Sequence, residues 1–130
     1  MDDIVAEVVT MKLCKHDNVL TCHCTFVQKD NLWVVMPLMD RGSCFRILQE
    51  LKARGVLKEG QGLAEEWVAC IMREVLMGLD YFHAQGQIHR DVKAGNILLN
   101  SDGGVRIADF GVSGWVMDFG DRRSKRNTFV

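Results

Sequence analysis

The chain has 130 residues, enough for one ordinary domain with its own core. Its charged and apolar fractions, 25% and 48%, are those of a soluble globular protein, and a net charge of −1 gives no reason to expect nucleic acid or a membrane surface as a global partner. The acidic start Met1-Asp2-Asp3 is not a secretory signal, and no apolar stretch approaches the length of a bilayer span.

In chain order, Ile4, Val5, Val8, Val9, Met11 and Leu13 predict a short amphipathic helix. Two apolar runs follow, Val19–Val27 and Leu32–Leu38. Lys29-Asp30-Asn31 between them is turn-like, so the runs read as a hairpin, with Pro37 where the second strand can lose a donor. Asp40-Arg41-Gly42-Ser43 breaks the pattern. Ser43 can cap a helix over Cys44–Ala53, and Gly55 can end it. Lys58–Gly62 is a polar loop. A long helix should run from about Leu63 to Ala84, with Trp67, Ile71, Val75, Leu79 and Phe82 on one stripe and Gly86 as its stop. Beyond it come a polar loop, a short strand Ile97-Leu98-Leu99, a turn at Asp102-Gly103-Gly104, a second strand, and a polar tail from Gly114 to Val130.

The polar loop carries the chemistry. His89-Arg90-Asp91-Val92-Lys93-Ala94-Gly95-Asn96 is followed thirteen positions after Asn96 by Asp109-Phe110-Gly111. Asp91 can accept the proton of an attacking hydroxyl. Lys93 puts positive charge where a moving phosphoryl group builds negative charge. Asn96 and Asp109 offer hard oxygen ligands to magnesium, and Gly111 allows a sharp turn beside the carboxylate. The set reads as phosphoryl transfer of the kind built on a catalytic loop rather than on a Walker loop. A polar turn between two apolar strands would explain the hairpin and leave these charges unexplained.

From Gly86 to Ser113 the wording, including Gly-Gln-Ile-His-Arg-Asp-Val-Lys-Ala-Gly-Asn-Ile-Leu-Leu and Ile-Ala-Asp-Phe-Gly-Val-Ser, resembles a Ser/Thr protein kinase of the Ste20 group. Arg73–Leu79 and Asn127-Thr128-Phe129-Val130 resemble the Fray-type branch, the oxidative-stress-responsive and proline-alanine-rich kinases. The resemblance covers nearly all of the chain and is most specific in the catalytic loop. A complete catalytic domain of this family is about twice as long, so the resemblance implies a fragment, inactive alone. The implied fold is α+β, a partial two-lobed kinase fold: residues 1–36 from the small lobe, 37–42 the hinge, and 43–130 the first half of the mainly helical large lobe.

The resemblance also assigns roles. Glu7 is the helix glutamate that pairs with a strand lysine, which is not in this chain. Met36 is the gatekeeper beside adenine. Pro37 and Met39 supply the hinge C=O and N–H, Pro37 standing where glutamate is common. Leu98 covers one face of adenine. Asp91 and Lys93 are catalytic, and Asn96 and Asp109 hold Mg2+ for bound ATP. His89 is a packing histidine, and Phe110 stacks near it. Arg90 receives the phosphate of Thr128, which an upstream activating kinase would modify; Ser113 and Ser124 are weaker candidates. Protein substrates and a cytoplasmic location follow in family terms. With an odd count of five cysteines, reduced thiols are expected. Cys14, His16, Cys22, His23 and Cys24 lack the spacing of a zinc site. The alternative to an enzyme is a kinase-fold scaffold or allosteric module. Intact Asp91, Asn96 and Asp109 argue against it, and the family's lysine and glycine-rich loop, which are not in this chain, leave it open.

Overall fold

The computed structural model describes residues 15–29 and 31–108. The helix expected at Ile4–Leu13 lies outside them. In chain order the described elements are β1 (Val19–Leu20), β2 (Cys24–Gln28), β3 (Asn31–Val35), β4 (Gly42–Ser43), α1 (Cys44–Ala53), α2 (Glu65–Ala84), a 3₁₀ turn at Ala94–Asn96, β5 (Ile97–Leu99) and β6 (Val105–Ala108).

Two sheets result. β2 and β3 form the expected antiparallel hairpin. Gln28 pairs with Asn31, and Lys29, just past the end of β2, takes a positive φ of 54°. The second sheet has the order β1-β6-β5-β4. Within it β5 and β6 are an antiparallel hairpin, β4 lies antiparallel to β5, and β1 lies parallel to β6. The apolar run Val19–Val27 is therefore not one strand. It is interrupted at Thr21-Cys22-His23, and its first two residues pair with β6 instead of β3. Local pattern cannot report this, because β1 and β6 are far apart in sequence.

The two helices follow their end signals. Ser43 is extended and its hydroxyl accepts from the Arg46 N–H at 3.2 Å, so it caps α1. Gly55, with φ 71°, ends the helix and donates to the Lys52 carbonyl at 3.0 Å. α2 lays Val75 and Phe82 into the core, and Ile71 and Leu79 pack at the core's edge. The stripe fails at Trp67, which is 63% exposed. That residue stands in the first turn of α2 and lines a cleft of about 860 Å³ with Leu51, Leu63 and Leu99.

One apolar cluster joins Val75 to Cys44, Ile97, Val105 and Ile107, and so ties α1 and α2 to the β5–β6 hairpin. A second joins Leu20, Met39 and Ala108, with Leu98 against them. Burial pushes the Cys44 thiol up, so it stays protonated and inert. Cys22, Cys24 and Cys70 are free as well. Among the described residues no helix is long and apolar enough to cross a membrane.

Candidate active site

The loop between α2 and β5 is held by a chain of hydrogen bonds that starts at His89. Its ring stands edge-on to Phe82 at 5.6 Å. His89 Nε2 lies 2.9 Å from the Ala108 carbonyl, and the Asp91 N–H reaches His89 Nδ1 at 3.2 Å. A carbonyl can only accept and an N–H can only donate. Both bonds are therefore satisfied only by the neutral ring with its proton on Nε2. His89 thus orients Asp91 through the backbone and fastens the loop to the end of β6.

Asn96 completes the hold. It is buried in the 3₁₀ turn, and its Nδ2 donates to the Asp91 carbonyl at 2.7 Å and to Asp91 Oδ2 at 3.0 Å. With the amide nitrogen committed to Asp91, the amide oxygen is the atom a hard cation can use. Lys93 Nζ lies 3.1 Å from Asp91 Oδ2. Hydrogen bonding from Lys93 holds the Asp91 carboxyl below the usual carboxylate range, slight desolvation opposes this, and Asn96 adds to the lowering. Asp91 is exposed, so its carboxylate remains reachable by a hydroxyl of another molecule. Arg90 is also exposed and takes a φ of 66°, a conformation that costs about 1–3 kcal/mol in a non-glycine residue. The surrounding bonds of His89 and Asp91 enforce it.

Beside the β5–β6 hairpin runs the segment from Met36 to Asp40. Among the described residues the Pro37 carbonyl and the Met39 N–H have no hydrogen-bond partner, while the Met39 carbonyl accepts from Gly42 at 3.0 Å. The Met39 side chain is buried with Leu20 and Ala108, and half-buried Leu98 packs against them. Half-buried Leu98 therefore lies beside a segment with one backbone acceptor and one backbone donor that take no partner among the described residues. Met36 follows directly on the last residue of β3 and is 43% exposed.

Asp40, read from sequence only as a pattern breaker, turns out to anchor this segment. Its N–H donates to Asn100 Oδ1 at 3.0 Å and its Oδ1 accepts from the Ser101 N–H at 2.8 Å. Hydrogen bonds from Ser101 hold its carboxyl below the usual range. An aspartate at the start of a turn was the available signal.

Glu7, Asp109, Phe110, Gly111, Ser113, Ser124 and Thr128 lie outside the described residues. His16, a member of the rejected zinc set, has other work: its Nδ1 accepts from the Asn18 N–H at 3.1 Å and its ring stacks on Tyr81 at 5.0 Å. The cleft beside Trp67 is formed by other residues than those of the loop.

The arrangement offers a carboxylate that can act as a base, a neighbouring ammonium, an amide oxygen for a cation and, near Leu98, a backbone donor and acceptor. The model of the protein kinase domain matches residues 1–129. The chain is 47% identical to germinal center kinase 3 of Caenorhabditis elegans, over all of this chain and 23% of that protein. It is 41% identical to the serine/threonine-protein kinase fray2 of Dictyostelium discoideum, over all of this chain and 12% of that protein. Identity to the serine/threonine-protein kinase ste20 of Aspergillus oryzae is 37%, over 99% of this chain and 14% of that protein. The chain thus spans less than a quarter of the length of these relatives.

Proposed function

Because the chain belongs to the protein kinase family, we propose that it carries the catalytic loop of a Ste20-type serine/threonine kinase that transfers the γ-phosphoryl group of ATP to protein hydroxyls. The observation that carries this reading is the Asp91–Lys93–Asn96 constellation, one carboxylate touched by both an ammionium and an amide. Asp91 takes the proton of the substrate hydroxyl as its oxygen bonds to the γ-phosphorus and the bond to the β–γ bridging oxygen breaks. Lys93 neutralises charge on the transferred group. The Asn96 amide oxygen and Asp109 would hold Mg2+, which would supply positive charge against that of the phosphates. Leu98 and Met39 would receive adenine, with Pro37 C=O and Met39 N–H as its partners.

The wider assignments are part of the same reading. Residues 1–36, 37–42 and 43–130 would be small lobe, hinge and large lobe. Glu7 would pair with a lysine, and Met36 would border adenine. Phe110 and Gly111 would set the position of Asp109. Exposed Arg90 would receive phosphate placed on Thr128 by an upstream kinase, and the protein would work in the cytoplasm. Likeness to fray2 supports the Fray-type branch.

The test is Asp91→Ala in the full-length protein. Phosphotransfer should fall by about 10²–10⁴-fold with MgATP affinity unchanged, since Asn96 keeps its 2.7 Å bond to the residue 91 carbonyl. Loss of both together would make Asp91 structural.

A further inference from the structure

Among the described residues, the buried polar residue outside the catalytic loop is Asn18, which is 5% exposed. Its Nδ2 donates to Glu74 Oε2 on α2 at 2.7 Å and to the Val105 carbonyl of β6 at 3.1 Å. Its own carbonyl accepts from the Ile107 N–H at 2.8 Å. Asn18 therefore grips β6 at two successive inward positions and ties it to α2. Just before it, the Lys15 N–H donates to the Tyr81 hydroxyl at 3.1 Å, and His16 stacks on the same ring. Beneath it, α2 has a glycine: a Cβ on Gly78 would meet the Asn18 carbonyl oxygen at 2.9 Å. Close approach at this point is thus built into the helix.

One residue beyond Ile107, the Ala108 carbonyl holds His89 Nε2, and His89 Nδ1 holds the Asp91 N–H. The line from Asn18 to Asp91 is continuous through β6: Val105 and Ile107, then Ala108, then His89. We propose that Asn18 is a positioning residue for Asp91. By fixing the register and height of β6 it sets where the Ala108 carbonyl stands, and through it the tautomer and orientation of His89. The placement of segment 15–18 on α2 is thereby transmitted to the base. The role of Asp91 as a base rests on the phosphotransfer reading; the mechanical coupling does not.

The experiment is NMR on the isotopically labelled full chain, reading the His89 ring nitrogens and the amide exchange of Ile107 against amides of α1. In Asn18→Ala, Ile107 exchange should rise about tenfold or more relative to α1, as expected for losing a buried amide that makes two hydrogen bonds. The His89 ring should pass from the single Nε2–H form to a mixture. Glu74→Gln keeps an acceptor oxygen and should leave both signals as in the parent. Glu74→Ala removes one acceptor, should move both in the same direction by less, and carries the test if Asn18→Ala does not fold. The proposal is overturned if His89 is unchanged while Ile107 opens, if α1 amides open equally, or if Glu74→Ala moves neither signal. MgATP titration of the unsubstituted full-length protein reports separately: absence of binding counts against the phosphotransfer reading and leaves the His89 result standing.

Discussion

Asp91 is exposed, yet its carboxyl is held below the usual carboxylate range, first by hydrogen bonding from Lys93 and then by Asn96. A depressed pKa means that the charged form survives as pH falls and is lost only below the ordinary carboxylate range. The linked stability has the same sign: present above the unfolded value and lost as pH falls through the folded one. Solvent screening keeps that contribution small. Lys93→Ala removes the largest cause, so the Asp91 titration should move up toward an ordinary aspartate, while Asn96 still holds part of the lowering. Carboxyl ¹³C NMR across the acid range checks this, and an Asp91 titration unaffected by Lys93→Ala would show that the contact at 3.1 Å carries no electrostatic weight. The same pairing explains why sequence reading reached this loop. Asp91, Lys93 and Asn96 lie within six residues, so spacing alone brings them together.

At the scale of elements, the ends of α1 and the approach of α2 to Asn18 make separate claims. Ser43 satisfies one N–H of the first turn of α1. Ser43→Ala should therefore cost about 1 kcal/mol, read as a lowered urea midpoint with unchanged slope. Gly78 is different, because alanine in a helix interior normally gains about 1 kcal/mol over glycine. Here the added Cβ meets a backbone oxygen at 2.9 Å and Ile107 Cδ1 at 3.0 Å. A backbone atom cannot move aside cheaply, and overpacking costs about 1–3 kcal/mol. Gly78→Ala should be net destabilising in the same urea measurement; a gain in stability would show that the segment at Asn18 yields. These cases also divide what was legible. Caps, stops and the β5–β6 hairpin are short-range features and stand where sequence put them. The break at Thr21-Cys22-His23 and the parallel pairing of Val19 with Ile107 depend on a partner strand distant in sequence. Trp67 obeys the helical period and still faces a cleft, because its stripe outruns the sheet that buries Val75.

Taken as a whole, the described residues bury one side of α2 and leave the other open. Val75 and Phe82 are buried, whereas Val68, Met72 and Leu76 are exposed, Leu76 by 58%. Those three recur at intervals of four, so they form one row along the helix. Ile88 and Val92, in the segment after the helix, are exposed too. Periodicity in the sequence picks out one apolar stripe on this helix and not the second, because a helix apolar on two sides has no single face for a pattern to find. An apolar row of this length in water favours association over a monomer. The chain should therefore self-associate as its concentration rises, seen as a concentration-dependent sedimentation coefficient. Replacing Met72 and Leu76 together by glutamate should shift it toward the monomer. Neither side chain lies in the buried core, so the α2 helicity and the urea midpoint should stay close to the parent. Unchanged association in the double variant would place the contact elsewhere, with the exposed Phe26 and Trp33 pair of the β2–β3 hairpin the next surface to substitute.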